Sequence, residues 1–100
     1  MKWFEPNLKK VLLEAGRKGL RVSDITRNIC NMEPAIFGTP HPYDEAWWDI
    51  YQFLRTESLR KSSPYQYVVD TKTGKRQWGR FWYDKRKDNQ PVQTTLQFIN

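Results

Sequence analysis

Residues 64–88 read PYQYVVDTKTGKRQWGRFWYDKRKD, and the fold turns on how this stretch is taken. Tyr65, Tyr67 and Val69 alternate with Gln66, Val68 and Asp70, a period of two that predicts a strand. Trp78, Gly79, Phe81, Trp82 and Tyr83 make a second β-rich run, because aromatic and β-branched side chains suit a half-buried pleated surface. The polar segment between them carries Gly74 where a hairpin needs a positive φ. The spacing therefore predicts a two-stranded ribbon. Its tip and far end hold Lys72, Lys75, Arg76, Arg80, Lys85, Arg86 and Lys87. Such a ribbon is marginal alone and needs a body to rest on.

The first sixty residues have the pattern of that body. Pro6 suits the first turn of a helix running to about Arg17. Leu8, Val11, Leu12 and Ala15 recur at helical spacing, while Lys9, Lys10 and Glu14 face water. Gly16 and Gly19 can stop the helix. Leu20-Arg21-Val22 is long enough only for a token strand that could pair with the ribbon's edge. Ser23 is read as the N-cap of a second helix with an apolar stripe of Ile25, Ile29 and Met32. Pro34 ends it near Met32 or Glu33. After a proline-rich loop, in which Ala35, Ile36 and Phe37 are expected to anchor in the core, a third helix runs from about Tyr43 to Leu59. Its wheel puts Tyr43, Trp47, Ile50, Tyr51, Leu54 and Ser58 on the core side. Truncating Trp47 as a buried anchor is then expected to cost ~3–5 kcal/mol. Val92 to Ile99 has strand-like composition and is read as an edge strand, with a loose tail as the alternative. One domain over residues 1–88 with a tail or edge strand over 89–100 is the expected organisation.

One hundred residues are enough for a core that folds without staples, and 15% aromatics help fill it. The net charge of +6 is one-sided. Residues 1–50 balance seven Lys and Arg against seven Asp and Glu, whereas residues 51–100 hold ten against four. A one-sided basic excess is the electrostatic footprint of a polyanion binder. The lone Cys30 excludes an intramolecular disulfide and fits a reducing compartment. No apolar run is long enough to span a membrane and no signal peptide follows Met1, so cytoplasmic residence is expected.

Helix, short strand, helix, helix, strand, loop, strand is the order of a winged helix-turn-helix domain, an α+β fold whose β-hairpin is the wing. Within that superfamily the chain resembles the HARE-type helix-turn-helix domains. The stretches that carry the resemblance are LKKVLLEAG over residues 8–16, Gly19-Leu20, Ser23-Asp24-Ile25-Thr26 and Gly38-Thr39-Pro40. It implies a three-helix winged domain and a setting in DNA handling or transcription. The N-terminal half of the third helix, however, presents Asp44, Glu45 and Asp49. These carboxylates suit a helix N-terminus and would repel a phosphate-rich groove. Contact with DNA is therefore expected from the wing residues Lys72, Lys75, Arg76 and Arg80, and from Arg55, Arg60 and Lys61 at the other end of that helix, mainly through phosphates. Charge alone does not separate DNA from RNA.

Other signals are weaker. Trp78, Trp82 and Tyr83 interleaved with Arg80 have the composition of a stacking platform for single-stranded bases. Alternation, though, sends Trp78, Arg80 and Trp82 to one side and Phe81 and Tyr83 to the other, and one side must cover the helices. Lys85-Arg86-Lys87 reads as a solvated strand end. His41 has no Cys, Asp or His at metal-ligand spacing, and Thr73-Gly74-Lys75 lacks the frame of a phosphate loop. No carboxylate pair, catalytic triad or metal set is visible, so neither catalysis nor a cofactor is expected. The rival reading is a protein–protein interaction module of a regulatory or phage-type assembly, anchored by exposed aromatics. Nothing in the sequence sets a homodimer interface.

Overall fold

The computed structural model describes residues 2–32 and 42–88. Helix α1 spans Glu5–Ala15 and a 3-10 turn follows over Gly16–Lys18. Strand β1 is Leu20–Arg21, α2 is Val22–Met32 and α3 is Tyr43–Ser58. Strands β2, Tyr65–Val69, and β3, Arg76–Tyr83, form the hairpin, and a one-turn helix α4 covers Lys85–Asp88. The three strands form an antiparallel sheet in the order β1-β3-β2. The fold is thus a small α+β arrangement in which α1 packs on β3 and α3 on β2. Among the described residues no helix is long and apolar enough to cross a membrane.

The first helix behaves as its periodicity predicts: Leu8, Val11 and Leu12 are buried. Phe4 seats the entry of the chain against Phe53, with ring centroids 5.4 Å apart. Gly16 and Gly19 both have positive φ and end the helical segment. Gly19 has a second reason to lack a side chain. A Cβ there would collide with the carbonyl oxygen of Phe81 on β3, so the close approach of the turn to the sheet needs glycine. The two-residue β1 then pairs with β3, Leu20 opposite Phe81 and Arg21 opposite Arg80.

Several expectations are corrected. Helix α2 begins at Val22, so Ser23 lies inside its first turn instead of capping it. Its buried line is Val22, Ile25, Thr26 and Ile29, while Met32 is exposed. The Thr26 hydroxyl is accommodated there by donating to the Val22 carbonyl oxygen at 2.7 Å.

In α3 the buried line is Ala46, Ile50 and Leu54. Tyr43 is exposed, and Trp47 and Tyr51 are half-buried, their rings stacked at 5.2 Å. The core side is rotated toward Ala46 because a small residue lets the helix approach the core closely, whereas the bulky rings tile the rim. In β2 the alternation fails, since Tyr67 and Val68 are both buried and Val69 is exposed. Tyr67 pairs with Phe81 but Val69 pairs with Arg76, which leaves Val68 alone opposite Gln77, Trp78, Gly79 and Arg80. That irregularity bows β3 outward, and Gly79 takes a φ of 71° within it. The expected anchors Ala35, Ile36 and Phe37, the loop histidine His41 and the strand-like segment 92–99 lie outside the described residues.

Candidate nucleic-acid interface

The hairpin loop is built by Asp70. Its N–H donates to the Lys75 carbonyl oxygen and its own carbonyl accepts from the Gly74 N–H, both at 2.8 Å. Its carboxylate Oδ1 also accepts the Lys72 N–H at 2.8 Å, an Asx turn. Thr73 Oγ1 accepts the Lys75 N–H at 3.3 Å. With Gly74 at φ 73°, these bonds hold a short polar loop whose lysines project into solvent. Arg76 lays its guanidinium over the Tyr67 ring, 5.0 Å from the centroid, so it is steadied by an aromatic face.

Arg80 is also tied into the fold. Its Nε donates to the Lys18 carbonyl oxygen at 2.8 Å and its terminal nitrogen to the Gly19 carbonyl oxygen at 3.4 Å. The side chain bridges β3 to the 3-10 turn, so its hydrogen-bonding edge is largely engaged. The bridge brings two cations into the neighbourhood that the sequence reading did not include. An open cleft of about 600 Å³ is lined by Arg17, Lys18, Lys72, Gln77 and Arg80, with Val68 and Asp70 among its walls. Arg17 also sits over the Trp82 ring at 5.3 Å. Trp82 is half-buried, its Nε1–H donating to the Tyr67 carbonyl oxygen at 3.2 Å.

The remaining expected residues lie elsewhere. Arg55 is in the last turn of α3, and Arg60 and Lys61 precede the base of the hairpin, which β2 separates from the loop by five residues, roughly 17 Å. Arg60 is paired with Glu57 at 3.1 Å, and the Lys61 carbonyl oxygen accepts from Lys87 Nζ at 2.7 Å. The expected set therefore does not come together: Lys72, Lys75 and Arg76 sit at the hairpin loop, Arg60 and Lys61 before its base, and Arg55 on α3. Nor is Lys85-Arg86-Lys87 a strand end: it is the helix α4, with Arg86 forked onto Asp84 through Nε at 3.1 Å and its terminal nitrogen at 3.2 Å.

The salt bridges among the described residues are Lys9–Asp88, Arg27–Asp24, Arg60–Glu57 and Arg86–Asp84. Among the described residues Arg17, Lys18, Arg21, Lys72, Lys75 and Arg76 take part in none, nor do Arg55 and Lys61. Of these, Arg17, Lys18 and Lys72 line the one cleft described above. Arg17, Lys18 and Arg21 could have been found from the sequence by following its own suggestion that Leu20-Arg21 pairs with the ribbon edge, since that pairing sets them beside it.

Acid–base shifts gather at the other end of the hairpin, away from the free cations. The Arg86 fork holds the Asp84 carboxyl below its ordinary range, and hydrogen bonds from Tyr83 and Lys9 do the same for Asp88. Burial pushes the Tyr65 and Tyr83 phenols up. These groups lock α4 against α1 and the sheet. No protein-family model, no curated protein and no solved structure matches this chain.

Proposed function

We propose that this chain is a winged helix-turn-helix domain that binds nucleic acid, as duplex DNA, through the β2–β3 hairpin acting as its wing, and that it is not an enzyme. The single observation that carries the reading is the set of unpaired cations on two segments far apart in sequence. Arg17 and Lys18 from the turn and Lys72 from the loop line one cleft, with Lys75 and Arg76 exposed beside it. Support for the winged fold comes from the element order and from a short first strand paired to β3. The setting implied by the family resemblance is DNA handling or transcription.

Contact is mainly with phosphates. Lysine and arginine heads on a loop and an adjoining turn neutralise a backbone and release counterions, and they carry no base code. The exposed face of α3 contributes little, because Asp44, Glu45 and Asp49 lie on it. Fluorescence anisotropy of a labelled random duplex at about 50 and 200 mM salt tests the proposal. Binding that collapses with salt is expected, with Lys75→Ala plus Arg76→Ala weakening it and flattening the salt slope by roughly two contacts' worth, ~0.9 each. A folded double mutant with unchanged affinity and slope would remove the hairpin from the interface.

A second reading rests on α3 itself. Trp48 is 56% exposed and Tyr43 41%, and with Trp47 and Asp44 they line an open hollow. An acidic, aromatic helix face suits a basic protein segment. The two surfaces separate cleanly in experiment: peptide binding through α3 survives Lys75→Ala plus Arg76→Ala, and DNA binding through the hairpin does not.

A further inference from the structure

Trp78 is 78% exposed, more than any other large apolar side chain among the described residues. It stands on the bowed part of β3, beside Gly79 in the left-handed region. A bulge of this kind re-aims a side chain, and here it turns an indole out of the sheet. The Tyr67 ring lies 6.4 Å from it, nearly perpendicular. Trp82, two turns of the pleat closer to the core, is by contrast hydrogen-bonded and covered by Arg17. The flat surface of Trp78 is open, on a hairpin whose cations Lys72, Lys75 and Arg76 carry no ion pair among the described residues.

We infer that Trp78 is a stacking residue for an unpaired nucleobase, so that the preferred ligand is DNA in which a single-stranded segment adjoins the duplex. The inference rests on the nucleic-acid reading above and deepens it. The ligand of this face has to supply negative charge for the cations and a flat apolar surface for the indole. The one carboxylate within the hairpin, Asp70, is engaged in holding the loop, so it does not serve a cationic partner. Inside a duplex each base face is covered by its neighbours, and reaching one means unstacking it. A single-stranded segment presents its base faces openly, and stacking on an aromatic side chain tolerates any base. Phosphate contacts from Lys75 and Arg76 serve both parts of such a ligand equally, which leaves Trp78 as the residue that distinguishes them.

The test compares a blunt labelled duplex with one of the same length carrying a single-stranded overhang, against the wild-type chain, Trp78→Ala, Trp78→Phe and Lys75→Ala plus Arg76→Ala. The wild type is expected to favour the overhang by about tenfold. Trp78→Ala loses that preference while its affinity for the blunt duplex and its salt slope stay unchanged, and Trp78→Phe retains most of it. Removing the exposed ring leaves the melting transition in place, since it contributes little to the core. Equal overhang affinity for wild type and Trp78→Ala would overturn the inference alone, with salt-dependent duplex binding still standing. Failure of the wild type to bind either DNA at low salt would overturn the inference together with the nucleic-acid reading.

Discussion

Arg80 donates from Nε to the Lys18 carbonyl oxygen at 2.8 Å, a tie between residues 62 positions apart in the chain. It fastens β3 to the turn that follows α1, where β1 is too short to hold the edge of the sheet by itself. The expected consequence is a structural phenotype. Arg80→Lys keeps the charge and loses the fork, so it should destabilise nearly as much as Arg80→Ala, by about 1–2 kcal/mol. DNA affinity of the folded fraction should change little in Arg80→Lys. Urea melts and anisotropy on the same samples check both halves. A stable Arg80→Lys with weakened DNA binding would return Arg80 to the interface.

Helix α3 offers a graded test of where its core side lies. Ile50 is fully buried, Trp47 half-buried and Trp48 exposed. Ile50→Ala should cost ~2–5 kcal/mol through lost burial and a residual cavity. Trp48→Ala should fall within about 0.5 kcal/mol of wild type. Trp47→Ala lies between them, since the stacked Tyr51 ring can settle into part of the space. Thermal or denaturant melts should show that order. A Trp47 loss larger than that of Ile50 would place the indole in the core.

These two cases show which features the sequence made legible. The stripe of Leu8, Val11 and Leu12, the hairpin and even the pairing of Leu20-Arg21 with its edge follow from period, turn chemistry and strand composition. The phase of α3 was not legible, because a helical wheel weighs Trp47 and Tyr43 by apolarity and is nearly blind to Ala46. The break in β2 was hidden because the extra residues sit on β3, where Gly79 looks like any hairpin glycine. An arginine on a strand reads the same whether it faces a phosphate or two carbonyl oxygens. So the role of Arg80 emerges only when β1 is set beside β3, and that same step recruits Arg17 and Lys18. Trp78 and Trp82 share one alternation class in sequence, yet the bow of β3 exposes one ring and half-buries the other.

Two glycines with similar φ should respond very differently to alanine. Gly79 has φ 71° and open space where a Cβ would go, so Gly79→Ala should cost about 1–2 kcal/mol for the left-handed backbone alone. Gly19 has φ 68°, and its Cβ would meet the Phe81 carbonyl oxygen and a Val68 methyl. Backbone on β3 cannot yield without disturbing the pairing of Leu20 with Phe81. Gly19→Ala should therefore destabilise well beyond Gly79→Ala, and hydrogen exchange should show the β1–β3 pairing lost first. Equal melting midpoints for the two variants would mean that the turn does not press against the sheet.

The base of the hairpin should set an acid limb of stability. Asp84 is only 4% exposed, and its carboxylate accepts the Arg86 N–H at 3.0 Å as well as the guanidinium fork. The Arg86 fork, first among the causes, lowers its folded-state pKa, and Tyr83 and Lys9 lower that of Asp88. A depressed carboxyl pKa means that the folded chain binds fewer protons than the unfolded one, so stability rises with pH across the window. The contribution is present above the ordinary aspartate value of about 4 and is lost as pH falls below it through the lowered folded values. Asp84→Asn should lower stability at neutral pH and flatten the acid limb. Asp88→Asn should do so less, because Asp88 and Lys9 are both substantially exposed and the pair is screened by solvent. Urea melts between about pH 2 and 7 measure the slope directly. An acid limb identical in wild type and Asp84→Asn would show that the Asp84–Arg86 fork does not couple protonation to folding.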